Sequence, residues 1–216
     1  MCDIPSTNPP PVFADDKPRL NKLCLNSFIN AFMGIDYTGT VICDYCNPET
    51  IELLERTGWK IIQTSKGIDE TMHMSYEIAR ESNDDIILFQ ECDYLYRPGV
   101  GAKYIEAIKK CDLVSPYDHP DFYSRFDIHP HETNIIIQGN QHYRFSTRNT
   151  MTFGLTKKVL TDGFDHFMRW GYLDNEIWVD LQRLGYLLWT PIPSFSTHMV
   201  KDYLAPGVDW ESLWKI

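Results

Sequence analysis

Between residues 40 and 115 the chain alternates short apolar runs with longer amphipathic stretches, and that alternation limits the folds open to it. Residues 40–43 (TVIC) read as a buried strand ending on Asp44. Pro48 opens a helix that carries Ile51, Leu53 and Leu54 and stops at Gly58. A strand over 59–63 follows, then an amphipathic helix over 68–82. Residues 84–99 (DDIILFQECDYLYRPG) drive an apolar strand straight into Glu91-Cys92-Asp93. A helix over 100–110 and a strand over 112–115 complete the series. Ahead of it, Leu20, Leu23, Leu25, Phe28 and Phe32 recur at helical spacing behind an extended, Pro-rich start. Strands separated by helices of this length predict a parallel α/β sheet. Such sheets bind ligands outside the carboxyl ends of their strands, where Asp44, Thr64 and the Glu91–Asp93 group all fall.

After residue 115 the pattern changes. Residues 115–132 (SPYDHPDFYSRFDIHPHE) read as loop, and Gly139-Asn140 sits between two strand-like runs as a hairpin turn. Residues 149–154 read as a further strand, and 174–185 (DNEIWVDLQRLG) as a helix with Asp174 placed as its N-cap. The aromatic, Pro-rich end is expected to wrap back over the rest. No internal repeat interrupts the chain, so its 216 residues are read as one domain with halves at 1–115 and 116–216.

Composition narrows the chemistry. With 43% hydrophobic and 13% aromatic residues the chain can bury a real core. A formal charge of -10 excludes a broad polyanion-binding face, so nucleic acid is not an expected partner. A small anionic ligand stays open, because one metal ion or a few Lys and Arg suffice for it. The six cysteines at 2, 24, 43, 46, 92 and 111 do not form a disulfide framework. Cys43-Asp44-Tyr45-Cys46 is a lone C-x-x-C, readable as a redox pair or half a zinc site; no second pair completes four thiolates, and reduced thiols are the expectation. MCDIPSTNPPPV is not a signal peptide, and no apolar run approaches a membrane span. A soluble protein of the cytoplasm is expected.

Two acids spaced by one residue on a strand project to the same side. Carboxylate oxygens in that number suit Mg2+ or Mn2+ shared with substrate phosphates rather than a full protein cage. The plain alternative is a strand end with solvated acids. The apolar approach and the place at a sheet's carboxyl edge favour a site. His119, His129 and His131 lack the i, i+4 spacing of a helical zinc site and are read as loop or ligand-side residues.

The strand–helix series ending in IILFQECDYLYRPG, with the closing TPIPSFSTHMVKDYLAPGVDW, resembles GT-A-type glycosyltransferases over roughly residues 20–210. It looks like the small transferases of bacteria, phages and large viruses, the capsid-glycosylating transferases of algal viruses being the comparison taken. The resemblance implies an α/β, GT-A-like fold: a mostly parallel central sheet, helices on both faces and a smaller antiparallel acceptor-side part. Residues 1–115 would be the nucleotide-sugar-binding half, and 116–216 the acceptor-binding and catalytic half. It implies Asp93 as a metal ligand and Glu91 turned toward the donor. Asp44 matches the acid that contacts base or ribose, and His198 a C-terminal His that completes the metal or touches the pyrophosphate. Cys92 stands where relatives often carry Asp and takes no ligand role. GT-A folds open with a strand meeting the nucleotide; here only Cys2-Asp3-Ile4 can form such a stub, with Asp3 or Pro5 near the base.

Sugar transfer with inversion also needs a carboxylate base. Asp174-Asn175-Glu176 lies where inverting GT-A enzymes carry theirs, with Asp174 the first choice and Glu176 the second; plain N-capping is the alternative. A helix N-terminus would lower the pKa of that carboxylate. Lys201, Arg144 and Arg148 are candidate supplements for the diphosphate, each also readable as solvated charge. The implied function is transfer of a sugar from a nucleoside diphosphate-sugar, UDP-sugar favoured, to a glycan or glycoprotein with Mn2+ or Mg2+. A viral member would work in the host cytoplasm. Two alternatives stand beside it. A sugar-1-phosphate nucleotidyltransferase should show a Gly-rich loop after its first strand, which this chain lacks; a non-catalytic carbohydrate-binding relative should lack metal dependence.

Overall fold

A computed structural model describes residues 1–4, 9–125 and 134–214. His129, His131 and Pro5 lie outside the described residues. In chain order the elements are α1 (Lys17–Ala31), β1 (Thr40–Asp44), α2 (Pro48–Glu55), β2 (Lys60–Thr64) and α3 (Ile68–Glu81). Next come β3 (Ile86–Phe89), β4 (Tyr94–Tyr96), α4 (Gly101–Cys111), β5 (Leu113–Val114) and α5 (Asp121–Ser124). The second half holds β6 (Ile135–Gln138), β7 (Gln141–Ser146), β8 (Phe153–Thr156), α6 (Lys157–Trp170) and α7 (Asp174–Arg183). It closes with β9 (Leu188–Ile192), β10 (Ser196–His198), a 3-10 turn (Lys201–Tyr203) and α8 (Glu211–Trp214).

The local reasons are legible. Asp16 caps α1, its carboxylate accepting from the Arg19 N–H at 3.1 Å, with Pro18 in the first turn where no N–H is needed. Asn47 and Pro48 do the same for α2. Gly139 has a φ of 59° and turns the β6–β7 hairpin, as expected.

The main sheet has the order β3-β8-β5-β9-β7-β6. β3, β5, β9 and β6 run one way, the parallel bias expected of the fold. β8 is inserted between β3 and β5 and runs against both, and β7 runs against β9 and β6. The fold is therefore α/β with a mixed sheet. β1 and β2 form a separate parallel pair. Cys2 bridges Asp44 in parallel beside it, so the expected N-terminal stub exists, one residue wide.

Strand alternation assigns the two faces of the sheet. Ile86 and Leu88 pack on one core with Val114, α1 and α4; Ile87 and Phe89 pack on the other with Leu113, α3, α6 and α7. Helices thus cover both faces. Phe153 and Trp178 are fully buried in the second core, where truncating such a ring to Ala costs about 3–5 kcal/mol. Gly154 lets α4 close on the sheet: a Cβ there would lie 2.4 Å from Ile108 Cδ1.

Four details differ from the sequence reading, the first being that α5 (Asp121–Ser124) forms within the stretch expected to be loop. Strand β8 starts at Phe153, and residues 149–152 are a pinned connection instead. Asn149 donates to the Tyr117 carbonyl at 2.7 Å, and Trp178 Nε1 donates to the Asn149 carbonyl. Helix α6 was not expected at all. Asp174 is the first residue of α7 rather than its N-cap, which is Leu173. Among the described residues no helix is long and apolar enough to cross a membrane.

Candidate functional site

The Glu91–Asp93 group lies beyond the end of β3, in the turn that leads to β4, rather than on the strand itself. β4 pairs antiparallel with β10, Tyr94 opposite His198. The Met199 N–H donates to the Asp93 carbonyl at 2.9 Å and locks the register. This three-residue pairing brings His198 Nε2 to 3.3 Å from Asp93 Oδ2. The Tyr94 ring lies parallel to the imidazole, centroids 5.0 Å apart, and fixes its plane. The predicted metal pair, Asp93 and His198, is thus one contact in space.

Glu91 is held from the pinned connection. Its N–H donates to Thr152 Oγ1 at 3.2 Å, and the Thr152 hydroxyl donates to Glu91 Oε2 at 3.1 Å. Burial, then the Asp93 charge, push the Glu91 carboxyl up to about 7, against the pull of His198 and Thr152. Asp93 goes the other way. Burial would raise it, but the His198 hydrogen bond and charge, with Lys17, hold it below the usual carboxylate value. For His198, burial opposes protonation, and the Asp93 hydrogen bond and the Asp93 and Glu91 charges overcome it, so its pKa rises.

Asp174 joins this group from α7: its charge acts on Glu91 and on Tyr76. The turn carrying it is tied down by the Tyr76 hydroxyl, which donates to the Gly171 carbonyl at 2.8 Å. Its pKa is raised, not lowered as a helix N-terminus alone would dictate. Burial is the largest cause and Glu176 adds to it; the Asn175 N–H and Arg148 oppose. Glu176 points elsewhere, into an open hollow of about 250 Å³ with Arg148, Trp170, Asn175, Val179, Asp180 and Arg183.

The other named residues stand apart. Asp44 accepts from the Lys66 N–H at 2.8 Å and the Gly67 N–H at 3.2 Å, fastening the loop before α3. Asp3 accepts from the Asn47 N–H, the Thr50 hydroxyl and the Asn21 amide, at 2.7, 2.9 and 2.8 Å. Lys201 is exposed in the 3-10 turn. Arg144 is buried against Asp118 at 3.5 Å and over the Tyr123 ring. His119 packs between Tyr117, Phe122 and Tyr203.

One residue escaped the sequence reading. Lys17, at the start of α1, is 7% exposed, and its ammonium lies 4.0 Å from Asp93 Oδ2 and against the Cys92 thiol. It arrives there because the preceding segment crosses the C-terminal strand. Pro11 bridges Val200, and the Val12 N–H donates to the Met199 carbonyl at 2.8 Å.

Among the described residues no three His, Cys, Asp or Glu side chains converge as a metal cage. The Asp93–His198 pair still fits a divalent ion. Its 3.3 Å separation is close to the roughly 3 Å between neighbouring ligands about 2.1 Å from one octahedral ion. Substrate phosphate and water would supply the remaining ligands, as Mg2+ sites commonly require.

No protein family matches this sequence, and no curated protein resembles it closely enough to be reported. Among solved structures it is similar to the galactosyltransferase LgtC, in complex with donor and acceptor sugar analogues. The identity is 10% and the TM-score 0.47, over 82% of this chain and 70% of that one.

Proposed function

We propose that the chain is a metal-dependent glycosyltransferase that moves a sugar from a nucleoside diphosphate donor to a hydroxyl of a glycan or glycoprotein, with inversion. The observation that carries this reading is the Asp93–His198 contact beyond the end of β3, with Glu91 held nearby by Thr152. The sequence resemblance to small transferases of bacteria, phages and large viruses points the same way. Asp93 and His198 would hold Mn2+ or Mg2+, which supplies positive charge to the departing diphosphate. Glu91, fixed by Thr152, faces the donor side.

Asp174 is the base. Its desolvated carboxylate takes the proton of the acceptor hydroxyl as that oxygen forms its bond to the anomeric carbon. The bond from that carbon to the phosphate oxygen breaks, and its electron pair leaves with the nucleoside diphosphate. A raised pKa suits this role better than the lowered one expected from the helix, because a more basic carboxylate holds the proton more readily. Asp44 and Asp3 contribute by holding the loop and the stub that would flank the nucleotide. UDP is the favoured nucleotide.

The test is a thermal-shift screen of UDP- and GDP-sugars with and without Mn2+, since a ligand of the native state raises the melting temperature. A rise with one nucleotide sugar, larger with Mn2+ than without it, is expected. No rise with any of them rejects the reading. Asp174→Asn should then lower transfer by about 10²–10⁴-fold, the usual worth of a general base, while leaving donor binding intact. Near-normal turnover would remove Asp174 from the role.

A further inference from the structure

Lys17 is a buried charge that sugar transfer, as proposed, does not use. The other buried charged side chains are answered by hydrogen bonds or close ion pairs. Asp44 has two backbone N–H groups, and Arg144 has Asp118. Asp180 has Trp170, His166 and Arg183. The ammonium of Lys17 instead lies 4.0 Å from Asp93 Oδ2, within ion-pair reach of the carboxylate expected to hold the metal. A buried charge persists only when a neighbour compensates it. Burial works against this ammonium, and the charge of Asp93 and a hydrogen bond with Cys92 favour it.

Position 92 bears on the same point. Lys17 touches the Cys92 thiol, at the middle of a triplet that resembles an acidic one. A carboxylate there would share the ammonium with Asp93; an uncharged thiol leaves that charge to Asp93. The departure from the acidic triplet and the buried lysine therefore belong together.

We infer that Lys17 is the built-in counter-cation of Asp93. It neutralises the carboxylate so that a diphosphate can bind before a divalent ion arrives, and it competes with that ion for the same oxygen. Lys17 acts here as a positioning residue, through Asp93 rather than by touching the ligand. The inference rests on the nucleotide-sugar reading for its ligand, but not for its electrostatics.

The experiment measures two affinities on the full chain by calorimetry: Mn2+ alone, and UDP or inorganic pyrophosphate in EDTA. Wild type should bind UDP and pyrophosphate in EDTA. Lys17→Met should shift the two affinities in opposite directions, Mn2+ alone tighter and the metal-free diphosphate weaker, each on the order of tenfold for loss of one neighbouring charge. Lys17→Arg should keep the wild-type ordering, and Cys92→Asp should tighten Mn2+. A purely structural role would weaken both affinities together or change neither, and either result overturns the inference. So does complete loss of UDP and pyrophosphate binding to wild type in EDTA when both bind with Mn2+, which decides the matter even if Lys17→Met fails to fold. Wild type that binds UDP under no condition rejects the nucleotide-sugar reading and the diphosphate role together. In that case tighter Mn2+ binding by Lys17→Met still supports the competition, and unchanged Mn2+ binding removes it.

Discussion

Two groups of carboxylates stand near the ends of the N-terminal strands, and they live in opposite electrostatic worlds. At the end of β1, Asp44 and Asp3 are met by backbone N–H groups, a hydroxyl and an amide, all uncharged donors. Beyond β3, the charges of Asp93 and Asp174 act on Glu91, His198 and Lys17 answer Asp93, and each of the three acids has a displaced pKa. The first group is satisfied by neutral hydrogen bonds. The second is held together against its own repulsion by pieces of chain far apart in sequence, an arrangement expected of a site rather than of a scaffold. Acid at a strand end therefore does not by itself mark chemistry; what answers the acid does.

Substitutions can break that contrast. The largest effect is expected at Asp93. Asp93→Asn keeps the shape and removes the charge, and should weaken Mn2+-dependent UDP-sugar binding at least ~100-fold, in line with losing a metal ligand rather than a second-sphere partner. Calorimetry that shows an unchanged Mn2+-dependent affinity would dissolve the distinction between the two groups. At Asp3 the loss should appear in stability instead. Asp3→Ala strips three hydrogen bonds from a carboxylate and should cost about 1–3 kcal/mol in denaturant melts, leaving the Mn2+ affinity within a factor of about two. A metal-binding defect of the size seen at Asp93 would place Asp3 in the site after all.

The smallest effect carries the most distinctive sign. A carboxyl whose pKa is raised in the folded state binds more protons folded than unfolded, so stability falls as pH rises through its titration. Asp174 therefore costs stability above its folded pKa and costs nothing below the unfolded value. Asp174→Asn should melt higher than wild type at pH 8, and the advantage should shrink steadily toward pH 4. An asparagine variant less stable than wild type at pH 8 would show that Asp174 is answered locally, like Asp44.

The legible part of this molecule was the part with long-period signal. Helices α1 to α4, strands β1 to β3 and the Gly139-Asn140 hairpin follow from apolar spacing and turn residues. The placement of Asp93 and His198 in one site came from the resemblance, and the structure brings them into contact. What stayed hidden depends on pairing that leaves no period. β4 and β10 have three residues each, too short for alternation to show, yet they set the Asp93–His198 distance. α6 was missed because its apolar positions are interrupted by Gly163 and a charged face. Asp174 looked like a cap because Asp before an amphipathic run usually is one. Lys17 sat in ADDKPR, which reads as solvated charge. The one available signal was Asp16 followed by Pro18, a helix start that places residue 17 in the first turn.

The β4–β10 pairing has a consequence for how the protein comes to exist. The Asp93–His198 contact spans 105 residues, and Lys17 reaches the same point from the other end of the chain. Closing so long a loop is entropically costly and slow compared with local helix formation. During synthesis β1 to β3 can be in place while the carboxylate has no imidazole to meet. The Asp93–His198 contact should thus form only after residue 198 has been made, well after α1 to α4.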